Sequence, residues 1–353
     1  MTSPRSRLCP SVLVLVLACV SGCPAESTSS EDGTTDTESE TSASTTSTST
    51  STTDETGTET ETGTETDDPD ACWTDLEVGE QALFFNDFPD GSEGLAFGAD
   101  GLLYVTTKVG GDGTVWRIDA DANASEFASV PYALGLAPLA DGSFVVASIG
   151  ETDQADGAVY HVDPGGLVSE WLGMGAGIDS PNFITIAPDA SALVSDDFDT
   201  RVFRVTAGGE LSVVIADVAS PNGMAYSPDG SRFYVASTFT PEGQLTRYDV
   251  VDGLPDEDSA IEILQLGPAS TPDGIAVDIE DRVYVLANLP GQIWRVGGSA
   301  TELEAGELVT EGLIAPASLA FGKGPDFDPC SVYVSSLTAG RITRVHVGAR
   351  GVL

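Results

Sequence analysis

Four oxygen-bearing side chains, Glu93, Asn182, Asn222 and Asp273, stand at one position of a repeated word and suggest a cation site. Aligned on the residue that precedes each apolar run, six copies of the word give Glu93, Leu134, Asn182, Asn222, Asp273 and Ala317. Two carboxylates and two carboxamides aimed at one point carry a charge of −2, and like charges brought close repel unless a cation lies between them. A donor set of hard oxygens, without nitrogen or sulfur, favours Ca²⁺ over zinc or copper. Ca²⁺ takes about six to eight oxygens, so four protein donors leave positions for water or substrate, as a catalytic metal requires. Ser-Pro-Asn-Gly and Thr-Pro-Asp-Gly read equally as plain turn sequences. Glu93, which is no turn former, tells for the metal.

The elements that must bring these residues together are legible in the repeat. Its clearest copy runs from Ser220 to Thr238, SPNGMAYSPDGSRFYVAST. Alternating apolar residues over 224–226, a Ser227-Pro228-Asp229-Gly230 turn and a second apolar run over 233–236 describe a β-hairpin. Related words begin at Gly91, Leu134, Ser180, Thr271 and Ala315, and the marker residues are spaced by 40 to 51 residues, the length of a four-stranded propeller blade. A third strand follows in each copy: TVWRID at Thr114, AVYHVD at Ala158, RVFRVT at Arg201, QLTRYD at Gln244, QIWRVG at Gln292 and RITRVH at Arg341. More polar fourth strands follow in most copies, as over 125–130 and 210–215. No helical periodicity of useful length occurs. The pattern predicts an all-β fold over 71–353, a six-bladed β-propeller of four-stranded antiparallel blades. Residues 83–85 are expected to supply the outer strand of the last blade, closing the ring with the two chain ends.

Loops that follow the second strands overhang the same axial cavity. They carry Lys108, Asp196, Asp197 and Asn288, which are candidate substrate contacts or else solvated loop residues. Asp196 and Asp197 are adjacent, so at most one is expected to face the metal side. His161 stands where the other five copies have Arg117, Arg204, Arg247, Arg295 and Arg344, and His346 lies on the last third strand. Neither belongs to the inner ring, and no Gly-x-Ser-x-Gly elbow with a histidine to serve it is present.

The N-terminal segment describes where the domain goes. Arg5 and Arg7 precede an apolar run over 12–20 that is too short to span a bilayer of roughly 30 Å. The run ends in Val20-Ser21-Gly22-Cys23, similar to a bacterial lipobox, which makes 1–23 a lipoprotein signal peptide with Cys23 as the lipidated residue; an ordinary cleaved signal is the other reading. Residues 24–70 are almost wholly Ser, Thr, Glu, Asp and Gly, a composition that buries nothing and forms a disordered acidic tether. The tether holds fourteen of the 56 acidic residues, so most of the net charge of −42 belongs to the folded part. Such a field repels nucleic acid and anionic membranes and attracts cations, or serves solubility alone. With Cys9, Cys19 and Cys23 in the leader, Cys72 and Cys330 remain, one near each end of the domain, and are expected to form a disulfide.

On the words SPNGMAYSPDG and TPDGIAVD, the stretch from Gly91 to about Val347 resembles the senescence marker protein and gluconolactonase-like propellers, a family that includes regucalcin, diisopropyl fluorophosphatase and, more distantly, paraoxonase. The resemblance implies a six-bladed propeller with catalytic Ca²⁺ on Glu93, Asn182, Asn222 and Asp273, and hydrolysis of lactones, esters or phosphotriesters in which a carboxylate activates water or attacks directly; Asp273 is the first candidate, its roles as ligand and as base both open. Leu337 follows Ser335-Ser336 where a catalytic histidine would complete a paraoxonase-like site. That departure tells against phosphotriesterase activity more than against lactonase activity. Two functions remain: an exported, lipid-anchored, Ca²⁺-dependent lactonase acting as a monomer on a small lactone or ester, and a non-catalytic propeller that binds a ligand or partner with the metal structural or absent.

Overall fold

A computed structural model describes residues 72–107, 111–151 and 156–352. Cys23, the leader, the tether and Lys108 lie outside them. Six antiparallel sheets form the described chain. Blade 1 comprises Ser92–Phe97, Leu103–Thr107, Thr114–Ile118 and Ala124–Ser129. Blades 2 to 5 repeat that order from inner strands Ala133–Pro138, Pro181–Ile186, Pro221–Tyr226 and Pro272–Val277. Blade 6 joins Pro316–Phe321, Ser331–Ser336 and Ile342–His346 to Gln81–Phe85, which pairs antiparallel with Ile342–His346. Each inner strand contacts the next, and the sixth contacts the first, so the fold is the all-β six-bladed propeller that the repeat predicts. Blade 4 adds a two-residue strand, Leu254–Pro255, because its long third strand, Gln244–Val251, runs on past the sheet.

The hairpins form for local reasons. In blades 1 to 4 an aspartate after the inner strand accepts a hydrogen bond from the amide two residues on: Leu102 to Asp100, Ser143 to Asp141, Ser191 to Asp189 and Ser231 to Asp229, at 3.0 to 3.2 Å. This Asx geometry imitates a backbone turn and fixes the register of the strands that follow. The cores sit between blades rather than within them. One cluster, for example, joins Tyr104 and Val115 of blade 1 to Phe144, Val146 and Tyr160 of blade 2.

The inner strands begin earlier than their apolar pattern suggests. Each starts one residue before the marker position, so Glu93, Asn182, Asn222 and Asp273 are second residues of strands rather than loop residues. Every inner strand breaks register between its first and fourth residues. Such a bulge re-aims side chains and bends the strand, and it masks the alternation on which sequence reading relies. Cys72 and Cys330 are disulfide-bonded with Cα atoms 5.4 Å apart across 258 residues of chain, fastening the N-terminal end of the domain to blade 6.

Candidate active site

The bulges put six equivalent residues around the axis at one end of the tunnel, and glycines let them approach. In blades 1, 2, 4 and 5 the third residue of the inner strand is Gly94, Gly135, Gly223 or Gly274. A Cβ on Gly94 would meet Leu134 O at 2.3 Å, one on Gly135 would meet Asn182 O at 2.6 Å, and one on Gly223 would meet Asp273 O at 2.3 Å. Each glycine thus packs on the backbone of the next blade's ring residue. Hydroxyls on the second strands occupy the amides freed by the bulges. Thr106 Oγ1 accepts from Gly94 N at 2.8 Å and donates to Leu134 O at 2.6 Å, while Ser335 Oγ accepts from Ser318 N at 2.9 Å and donates to Glu93 O at 2.5 Å. In blade 3, Ser195 Oγ accepts from Phe183 N at 3.0 Å.

Glu93, Asn182, Asn222 and Asp273 are all buried, and the loops after the second strands add Asp197 and Asn288, buried as well. The side chains form one linked cluster. Asn182 Nδ2 donates to Asp197 Oδ2 at 3.0 Å. Asn288 Nδ2 donates to Pro316 O at 2.9 Å and reaches Asp273 Oδ2 at 3.4 Å, and the Asn222 side chain also bonds the Asp273 carboxyl. Asp196 faces away: its Oδ2 accepts from the amides of Asp179 at 3.1 Å and Ser180 at 3.0 Å, and its Oδ1 accepts from Phe198 N at 3.3 Å. Of the adjacent pair only Asp197 turns to the ring, and both are buried in place of the solvated alternative. Asp196 ends its strand and braces the turn that leads into Asn182.

Three carboxyl groups are therefore buried close enough for their charges to act on one another. Burial first, then the charge of Asp196, drives Asp197 up to about 8, although the bond from Asn182 pulls the other way; the Glu93 charge adds to the rise. Asp273 is raised well above the ordinary carboxylate range by burial and then by the charges of Glu93 and Asp197. Burial also raises Asp196, against the backbone amides that bind its charged form.

Two buried oxygens of this cluster, Asp197 Oδ1 and Asn222 Oδ1, have no hydrogen-bond partner among the described residues. A buried polar atom left unmatched costs about 1 to 3 kcal/mol, more when charged. Oxygens of this kind, among carboxylates that raise one another's pKa, fit a hard divalent cation. Among the described residues no three His, Cys, Asp or Glu side chains group tightly enough to hold a metal, so the carboxamide oxygens would have to complete such a shell.

The sequence did not single out Thr238, Ser220, Phe198 or Phe239. Thr238 is the blade 4 equivalent of Asp197 and donates through Oγ1 to Pro272 O, beside Asp273, at 2.6 Å. The repeat held the signal, since the same register position gives Ile149, Asp197, Thr238, Asn288 and Leu337 among the described residues. His161 stacks on Trp171 at 5.7 Å and His346 faces Asp328 at 3.4 Å, so neither joins the cluster. Toward the far ends of the inner strands, about 10 Å along the strand at 3.3 Å per residue, a cavity of about 270 Å³ is lined by Ala96, Ala225, Ala276 and Ala320, with Lys323 at its edge.

Comparison with known proteins follows the same geometry. The model of the family described as SMP-30/gluconolactonase/LRE-like region matches residues 194–338. A pentonolactonase, XacC, from Haloferax volcanii is 32% identical over 172 residues, which is 46% of this chain and 55% of that protein. The chain thus spans about half the length of this curated relative. Among solved structures, a gluconolactonase from Xanthomonas campestris aligns with a TM-score of 0.60 at 20% identity, over 75% of this chain and 89% of that one. Regucalcin of Agrobacterium tumefaciens, a calcium-binding protein, aligns with a TM-score of 0.59 at 17% identity, over 76% and 97%. Those structural likenesses show the propeller fold, and the family match covers residues 194–338, from the second strand of blade 3 to the loop after the second strand of blade 6, as a stretch similar to the SMP-30/gluconolactonase/LRE-like region.

Proposed function

We propose that the protein is a Ca²⁺-dependent lactonase working at the ring end of its axial tunnel. The observation that carries this reading is the buried cluster in which Asp197 Oδ1 and Asn222 Oδ1 lack a hydrogen-bond partner among the described residues while the charges of Glu93, Asp197 and Asp273 act on one another. Glu93, Asn182, Asn222 and Asp273 would hold the cation, which supplies Lewis acidity toward the lactone carbonyl oxygen. The ligand and base roles open for Asp273 divide between two residues. Asp273 is braced by Asn222 and Asn288 and holds. Asp197 is fixed through Oδ2 by Asn182 and keeps Oδ1 for proton transfer. A cation held beside it would offset the neighbouring carboxylates that raise its pKa and favour the charged form that accepts a proton.

In the reaction, water adds to the carbonyl carbon while Asp197 Oδ1 takes its proton. The ring C–O bond then breaks, and the same proton passes to the leaving alkoxide, giving a hydroxy acid and restoring Asp197. The ring glycines and burial keep bulk water from this exchange. We also place the protein outside the cytoplasm, lipid-anchored through Cys23 and extended on its acidic tether as a monomer, with no nucleic acid partner. The Cys72–Cys330 disulfide supports this placement because such bridges persist in oxidising compartments.

A panel of lactones and aryl esters, assayed with and without chelator, tests the activity. Chelation, Asp273→Ala and Asn222→Ala are each expected to lower kcat/KM about 100-fold. Turnover indifferent to all three would remove the mechanism.

A further inference from the structure

The rim above the ring carries carbon where a sugar lactone would want hydrogen bonds. Directly after Asp197, Thr238 and Asn288, the equivalent loop positions of blades 3, 4 and 5 hold Phe198, Phe239 and Leu289. Phe198 and Phe239 stack with ring centroids 5.5 Å apart and planes inclined by 20°. Phe198 is 42% exposed and Leu289 57%, in a chain whose net charge is −42. Exposed apolar side chains scattered singly call for no explanation. Two exposed and one half-buried at one repeat position, on the three consecutive blades that supply Asn182, Asn222 and Asp273, do.

The arc is also built rigidly. Ser220 Oγ donates to Asp197 O at 2.7 Å and accepts from Phe239 N at 2.9 Å, so one hydroxyl ties both aromatic loops to the turn that leads into Asn222. Blade 5 repeats the device, with Thr271 Oγ1 accepting from Leu289 N at 3.0 Å two residues before Asp273. The side chains of the arc are thereby held in a fixed relation to the residues that would hold the reacting carbonyl.

We infer that the substrate is a lactone bearing an apolar alkyl or aryl substituent, which lies along the arc of Phe198, Phe239 and Leu289 while its ring enters the cluster below. The inference rests on the lactonase reading and deepens it. A polyhydroxylated ring substituent would leave its hydroxyls unmatched against this arc, and unmatched polar groups are what selective sites reject most strongly. An apolar tail instead covers carbon that water otherwise wets.

The test uses the full chain with excess Ca²⁺ and two readouts. The first is calorimetric binding of non-hydrolysable lactams with tails from methyl to hexyl; the second is hydrolysis of the matching lactones beside a polyhydroxylated lactone of the same ring size. Affinity is expected to rise up to about fourfold per methylene until the arc is covered. That slope should fall by about half or more in Phe198→Ala/Phe239→Ala and in Leu289→Ala, the latter at an exposed position that spares the fold. Affinity without tail dependence, or a slope unchanged in both variants, overturns the inference. If the lactams show the slope and no lactone reacts, lactone hydrolysis fails and the arc stands. If lactones react without regard to tail, the reverse holds.

Discussion

Asp197 concentrates the chemistry of the cluster and gives it a signature in solution. Its carboxyl is raised to about 8 by burial and neighbouring charge, so between about pH 4 and pH 8 the folded chain holds a proton that the unfolded chain has released. Stability of the chelated protein should therefore fall as pH rises through that window, and Asp273, raised by the same causes, acts in the same direction. Thermal melts in chelator are expected to show a higher Tm at pH 5 than at pH 8, and Asp197→Asn should flatten the difference. A Tm that climbs from pH 5 to pH 8 in the wild type would contradict the burial of uncompensated carboxyls. In assays the same substitution should lower kcat about 100-fold or more, because Asn cannot accept the proton. The charged residue was visible in the sequence. Its orientation relative to Asp196 was not, because two adjacent carboxylates are indistinguishable until the strand end turns one toward backbone amides and the other toward the axis.

Inner strands impose the geometry that the side chains exploit. Gly223 has the backbone of Asp273 and Ile275 against it, at 2.3 Å from Asp273 O and 2.8 Å from Ile275 N for an added Cβ. Gly223→Ala forces blades 4 and 5 apart at the ring itself, with an expected cost of about 1 to 3 kcal/mol and a fall in cation affinity measurable by calorimetry. Gly230→Ala is the matched control. That glycine sits in a hairpin turn at φ +69° with open space around its Cβ direction, so it should cost about 1 to 2 kcal/mol of local strain and leave cation affinity unchanged. Equal loss of affinity in both variants would show that general destabilisation, and not the approach of neighbouring ring residues, is being read. The glycines were on the page in SPNGMAY and TPDGIAV, where they looked like turn formers. Only the register breaks explain them as points of contact between blades.

The whole ring is closed by two devices at the chain ends. Gln81–Phe85 completes blade 6 against Ile342–His346, and the Cys72–Cys330 bridge spans 258 residues of sequence. In the chain-entropy account, a bridge over so long a loop contributes about 4 to 5 kcal/mol. Cys72→Ser with Cys330→Ser should then lower the denaturant midpoint markedly and fray blade 6 first, as amide exchange in Ile342–His346 would report. Unchanged protection there would show that the strand pairing closes the ring unaided. The acidity of the molecule predicts a further dependence: millimolar Ca²⁺ should raise Tm, through site binding and through relief of self-repulsion. Loss of that rise in Asn222→Ala would assign it to the site.

Blade number, strand order, ring closure and the disulfide partners were all readable from the chain, because a propeller repeats one hairpin and repetition makes equivalent positions visible without coordinates. The same repetition nominated Glu93, Asn182, Asn222 and Asp273. What it could not supply was which of Asp196 and Asp197 joins the cluster, or the stacking of Phe198 on Phe239. Those depend on where a bulged strand points each side chain and on which neighbouring blade it meets, and such contacts between segments distant in sequence exist only once the ring has closed.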